Sequence, residues 1–146
     1  MSRASLVELT NLCVICDGSR VLVQDKVGCG VVFPGGHVEP GESMLSSVIR
    51  EMREETGLVI EHPTLCGIKD WMREDGTRFI VALYRADRFS GSLKSSEEGR
   101  IFWMEREDFA RLVTIWGMHE VLRVCDSADY SEMFYSEEKE GWVLLG

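Results

Sequence analysis

The sequence predicts an α+β fold: a mixed sheet flanked by helices, in a single domain over residues 1–146. Three observations lead there. Several stretches rich in β-branched and aromatic residues lie between turn signals. Two stretches carry apolar residues at helical spacing. The two kinds of segment do not alternate as strand–helix–strand units, which argues against a regular parallel architecture. A chain of 146 residues with 45% apolar and 28% charged side chains can bury a core and does not read as disordered.

The elements follow in order. Residues 5–16 (SLVELTNLCVIC) and 20–25 (RVLVQD) flank Asp17-Gly18-Ser19 and read as a β-hairpin. The next stretch, VGCGVVFPGGHVEPGES, holds five glycines and two prolines, which exclude regular structure over most of its length. A helix starts at Glu42 or Ser43 and runs to about Thr56, where Gly57 supplies the left-handed stop. Leu45, Val48, Ile49 and Met52 form its buried stripe. LVIEHPTLCGIKDWM and TRFIVALYRADRF read as two strands joined by a turn at Glu74-Asp75-Gly76, and EGRIFWME as a further strand. Residues 106–124 read as one helix anchored by Phe109, Leu112, Val113, Trp116 and Val121. The tail SEMFYSEEKEGWVLLG reads as a last hairpin turning near Glu140-Gly141.

Charge and cysteine content narrow the function. A net charge of -9 excludes tracking of a nucleic-acid polymer, which needs a basic surface. An acidic chain still binds a small phosphate compound when a divalent cation mediates. The N-terminal residues are interrupted by Glu8 and Asn11, so they read as neither signal peptide nor membrane span. Five cysteines, an odd number, suit a reducing cytoplasm better than a disulfide framework. Cys13 and Cys16 fall on opposite faces of a strand and read as buried small apolar residues rather than metal ligands.

The chemistry concentrates in REMREETG, residues 50–57. Glu51 lies beside Glu54 and Glu55 on a helix surface, and like charges at that spacing repel by about 0.2–0.5 kcal/mol per pair. Glutamates paired with Arg50 are also ordinary surface design. At about 100° per residue, however, the three carboxylates centre about 120° from the apolar stripe. They stand at the edge of the buried face, as a hard-oxygen site for Mg²⁺ or Mn²⁺.

From Gly36 the chain reads GHVEPGESMLSSVIREMREETGL, with nine defined positions over 23 residues that match the Nudix box at every one: Gly36, Glu42, Arg50-Glu51-Met52, Glu54-Glu55, Gly57 and Leu58. The Phe33-Pro34-Gly35-Gly36 lead-in also resembles that family. The order of elements is similar to the Nudix fold, an α/β/α sandwich. The resemblance implies hydrolysis of a nucleoside diphosphate linked to another moiety, with Mg²⁺ or Mn²⁺ held on the box helix. It implies metal ligation by Glu51, Glu54 and Glu55 and by the carbonyl of Gly35 or Gly36, one glutamate also activating water. Glu42 and Arg50 are then supports, Arg50 bridging carboxylates. In enzymes resembling the MutT-type nucleotide-pool sanitisers, a glutamate shortly before a strand tryptophan serves the same site. Glu98, five residues before Trp103, fits that place, with Glu97 the adjacent alternative; Trp103 itself reads as core.

The segment beyond Trp103 resembles the C-terminal part of 8-oxo-dGTP diphosphatases, which implies Trp116, His119 and Glu120 as base-binding residues. One departure stands before the box, where Val31 occupies a position at which such enzymes often carry tryptophan. The expected activity is Mg²⁺-dependent conversion of a nucleoside triphosphate to monophosphate and pyrophosphate, extending to 8-oxo-dGTP-like substrates. The alternatives are a Nudix pyrophosphatase acting on a nucleotide-sugar or dinucleotide, and a nucleotide-sensing module without catalysis. Monomer and homodimer are both open.

Overall fold

The structure, a computed structural model, describes residues 2–146. Its centre is strand β1 (Val7–Asp17), in which the seven residues 10–16 are all buried. Alternation sends Leu12, Val14 and Cys16 into one apolar core and Cys13 and Ile15 into the other. The two cysteines thus part to opposite sides of the sheet.

β2 (Arg20–Lys26) meets β1 only at Cys16–Val21 and Asp17–Arg20. The predicted hairpin therefore exists at its tip alone. Beyond the tip β2 pairs along its length with β9 (Gly99–Glu105), and its far end pairs with β3 (Gly30–Val32). The middle of β1, Thr10 to Leu12, instead takes β4 (Gly35–His37) as antiparallel neighbour. The glycine-rich stretch thus contains two three-residue strands where irregular structure was expected. Backbone pairing with long neighbours, not residue propensity, orders them.

Helix α1 (Met44–Thr56) is capped by Ser43, whose side chain accepts from the Ser46 N–H, and closed by Gly57 at φ 83°. The segment after it is divided: β5 (Leu58–Ile60) pairs with β8 (Phe89–Gly91) in a small separate sheet, while β6 (Thr64–Met72) and β7 (Arg78–Ala86) join the main one. The break falls at His62, with φ 48°, and Pro63. β1 and β7 run parallel, as do β6 and β10 (Glu132–Ser136), and β11 (Gly141–Leu145) closes the edge beside β10. The main sheet is therefore mixed, in the order β11-β10-β6-β7-β1-β2-β3.

The helix predicted over 106–124 is two helices, α2 (Arg106–Ala110) and α3 (Met118–Asp126). Trp116 and Gly117 at φ 60° and 71° turn the chain between them. Phe109 and Val121 are buried as expected, but Val113 is fully exposed and Trp116 half exposed. One core lies between the sheet and α2 and α3, the other between the sheet and α1, which makes the α/β/α layering. Among the described residues no helix is long and apolar enough to cross a membrane.

Candidate active site

A cleft of about 940 Å³ opens beside the place where β1 exchanges β4 for β2, and it has two chemically distinct ends. The acidic end is built by α1. Its buried face is turned toward the glutamates relative to the predicted stripe: Val48 and Met52 are buried, Leu45 is exposed, and Ser47 and Glu51 are buried instead. The reason is polar contact with β1, where Asn11 Nδ2 donates to Ser47 Oγ at 2.9 Å. Glycine makes the close approach feasible. A Cβ on Gly36 would overlap the Glu51 carboxylate, and one on Gly35 would overlap the Asn11 carbonyl.

Arg50 ties this end together. Its Nε and Nη2 donate to the two oxygens of Glu42 at 2.6 and 3.0 Å, a bidentate pair. Nη1 reaches Glu51 Oε1 at 3.0 Å and Glu54 Oε2 at 3.1 Å, and Nη2 also donates to the His37 carbonyl. The guanidinium beside Glu42 holds that carboxyl below its usual range. Burial pushes Glu51 the other way, with Arg50 opposing and Glu54 and Glu55 adding to the rise. Glu55 Oε2 accepts from Ser96 Oγ at 3.0 Å and Gln24 Nε2 at 3.4 Å. Its carboxyl is raised by burial first, with neighbouring Glu98 adding to the rise. Glu98 lines the cleft and Glu97 does not.

These donors suit a hard divalent cation. Glu51, Glu54, Glu55, Glu98 and the Gly35 and Gly36 backbone all line one cleft, all offer oxygen, and two of the carboxyls are held in a state that added positive charge would relieve. Among the described residues no three His, Cys, Asp or Glu groups are already drawn together at metal-binding spacing. Arg50 takes one oxygen each of Glu51 and Glu54, while Ser96 and Gln24 hold Glu55.

The other end is aromatic. Trp71 stacks on Phe79 with ring centroids 4.4 Å apart and meets Trp142 edge-on at 5.9 Å; Tyr135 meets Trp142 at 5.3 Å. Trp116 also lines this end. His119 does not: its Nε2 bonds the Leu112 carbonyl at 2.8 Å and its ring packs 5.0 Å from Phe109. Glu120 is likewise not among the lining residues, although its charge acts on Lys69. Trp103 packs on Phe89 at 5.3 Å, under the Arg20 guanidinium, away from the cleft. Sequence reasoning missed Lys69, Trp71, Phe79 and Trp142. The available signal was Lys69 and Trp71 at alternate positions of one strand, hence on one face.

Comparison with known proteins adds three findings. The family profile described as NUDIX domain matches residues 8–125. The Nudix hydrolase YvcI of Bacillus subtilis is 38% identical over 113 residues, 73% of this chain and 71% of its own; the CTP pyrophosphohydrolase of Escherichia coli is 30% identical over 109 residues, 70% and 78%. Among solved structures, a MutT protein from Bacillus halodurans superposes with a TM-score of 0.76 at 27% identity, over 95% of both chains.

Proposed function

The chain belongs to the Nudix hydrolase family, pyrophosphohydrolases of phosphoric anhydrides, and on that premise we propose that it cleaves a nucleoside triphosphate to the monophosphate and pyrophosphate, 8-oxo-dGTP-like nucleotides included. The observation that carries this reading is the two-ended cleft: oxygen donors for a cation at one end, ring faces for a base at the other. The similarity to a CTP pyrophosphohydrolase supports a triphosphate substrate.

Glu51, Glu54, Glu55 and Glu98, with the Gly35 or Gly36 carbonyl, are the groups that would hold Mg²⁺ or Mn²⁺. When bound, the cation neutralises the polyphosphate and lowers the pKa of water. The chain's own residues do the rest. Arg50 fixes the loop carrying Glu42 and His37 against α1, so that the Gly36 backbone and Glu51 stay in register. One carboxylate among Glu51, Glu54 and Glu55 takes a proton from water as the water oxygen bonds to phosphorus and the anhydride P–O bond between the monophosphate and pyrophosphate parts breaks, the departing part keeping the electron pair. The whole chain is one catalytic domain in this reading.

The test is product analysis after incubation with Mg²⁺ and a panel of nucleoside triphosphates, ADP-ribose, dinucleotides and nucleotide-sugars. Monophosphate plus pyrophosphate from triphosphates is the expected result. Turnover of dinucleotides or sugars alone, or of nothing in the panel, overturns it.

A further inference from the structure

We propose that Lys69 selects the nucleobase, its ammonium donating to a ring carbonyl of a base held among the tryptophans of the cleft. The inference rests on the nucleotide reading above and adds the chemical class of base.

Lys69 is 3% exposed yet lines the cleft. A buried ammonium is ordinarily paired with a carboxylate. Among the described residues Lys69 has none within ion-pair distance; it donates to the Trp116 carbonyl and lies 4.9 Å from the Trp142 ring and 5.5 Å from Trp71. An ammonium has three N–H donors and no acceptor. One goes to the carbonyl, and ring faces attract the charge without accepting a full hydrogen bond, so donor capacity is left within the cleft. Burial pushes its pKa down to about 8, with Glu120 opposing. The group is therefore still mainly a cation at neutral pH.

The support around it is built. The Trp116 carbonyl is aimed by a backbone at φ 60°, a strained value for tryptophan, followed by Gly117 at 71°. Only glycine fits there, since a Cβ would stand 2.7 Å from Trp142 Nε1 and 2.8 Å from Met133 Cε. A free phosphate is the wrong occupant for this end, because flat ring faces line it and the oxygen donors for a phosphate-bound cation lie at the other. A planar base fits, with its edge toward the ammonium. Guanine, 8-oxoguanine, uracil, thymine and cytosine carry a ring carbonyl and adenine does not. Lys69 therefore discriminates against adenine.

The test compares kcat/KM for GTP, UTP, CTP and ATP in wild type, Lys69→Met and Lys69→Arg. Wild type is expected to disfavour ATP by ~10-fold or more, the scale of one charge-assisted hydrogen bond. Lys69→Met should reduce the carbonyl-bearing substrates ~10–100-fold more than ATP, chiefly through KM, with partial recovery in Lys69→Arg. Equal losses for all four nucleotides would mean that Lys69 only holds the Trp116 turn, and unchanged kcat/KM for all four would mean that it reads nothing; either overturns the inference while leaving the hydrolysis intact. Should wild type cleave no triphosphate, tryptophan quenching by GMP and AMP still decides. A GMP preference abolished by Lys69→Met supports the inference, and equal affinities overturn it.

Discussion

At the scale of single residues, opposite charges are treated in opposite ways. Arg50 is spread over Glu42, Glu51 and Glu54, whereas Lys69 is buried against a carbonyl and rings. Because Glu54 and Glu55 stand in the cleft as oxygen donors, Glu54→Gln or Glu55→Gln is expected to lower Mg²⁺-dependent turnover at least ~100-fold in steady-state assays; near-wild-type rates would remove them from the site. For Lys69, the fall in pKa from 10.5 to about 8 corresponds to about 3 kcal/mol between its two protonation states. Below pH 8 the folded chain carries a buried cation that the unfolded chain solvates freely, so that penalty is fully present. As pH rises from 8 to 10.5 the folded state gives up its proton first and the penalty is relieved. Urea denaturation should therefore find Lys69→Met more stable than wild type by about 1–3 kcal/mol at pH 7, and the gap should narrow by pH 10. A gap independent of pH would place the ammonium in water. The glutamates were legible in the sequence because one helix carries them at fixed spacing. Lys69 was not, because a lysine in a strand reads as a solvent face until neighbouring elements cover it.

Elements were legible where their stop signals are local. Ser43 and Gly57 bound α1 as expected, since a cap and a left-handed glycine act within a few residues. The helix read across 106–124 was wrong because its apolar spacing continues through Trp116 and Gly117, while packing against Trp142 and Met133 imposes a turn there. The phase of α1 shows the same limit: Leu45 is exposed and Glu51 buried because the helix leans on Asn11 and the β4 glycines. That lean predicts the behaviour of Gly36→Ala. The added methyl must displace the Glu51 carboxylate, so thermal denaturation should show a loss of about 1–3 kcal/mol, accompanied by weaker activity. Wild-type stability and turnover in this variant would contradict the observed approach of β4 to α1.

For the molecule as a whole, a net charge of -9 with carboxylates gathered along one cleft predicts that a divalent cation stabilises the fold by mass action. At about 100 times its dissociation constant the gain is about 2.7 kcal/mol, readable as a rise in Tm on adding Mg²⁺ after chelation. The double variant Glu54→Gln/Glu55→Gln should lose that rise; an equal rise in the variant would place the cation elsewhere. The same cleft separates what each level of description decides. Sequence alone determined the family, because the box from Gly36 to Leu58 is a short continuous segment built around one helix, so that its spacing is its geometry. It also determined the closing hairpin, whose periodicity and turn are local, whereas the parallel pairings that make the sheet mixed join residues some 64–71 apart in the chain. Only the tertiary structure decided what faces the glutamates across the cleft. Lys69, Phe79, Trp116 and Trp142 come from separate strands and a turn, and residues that distant in the chain meet only when a sheet pairs them.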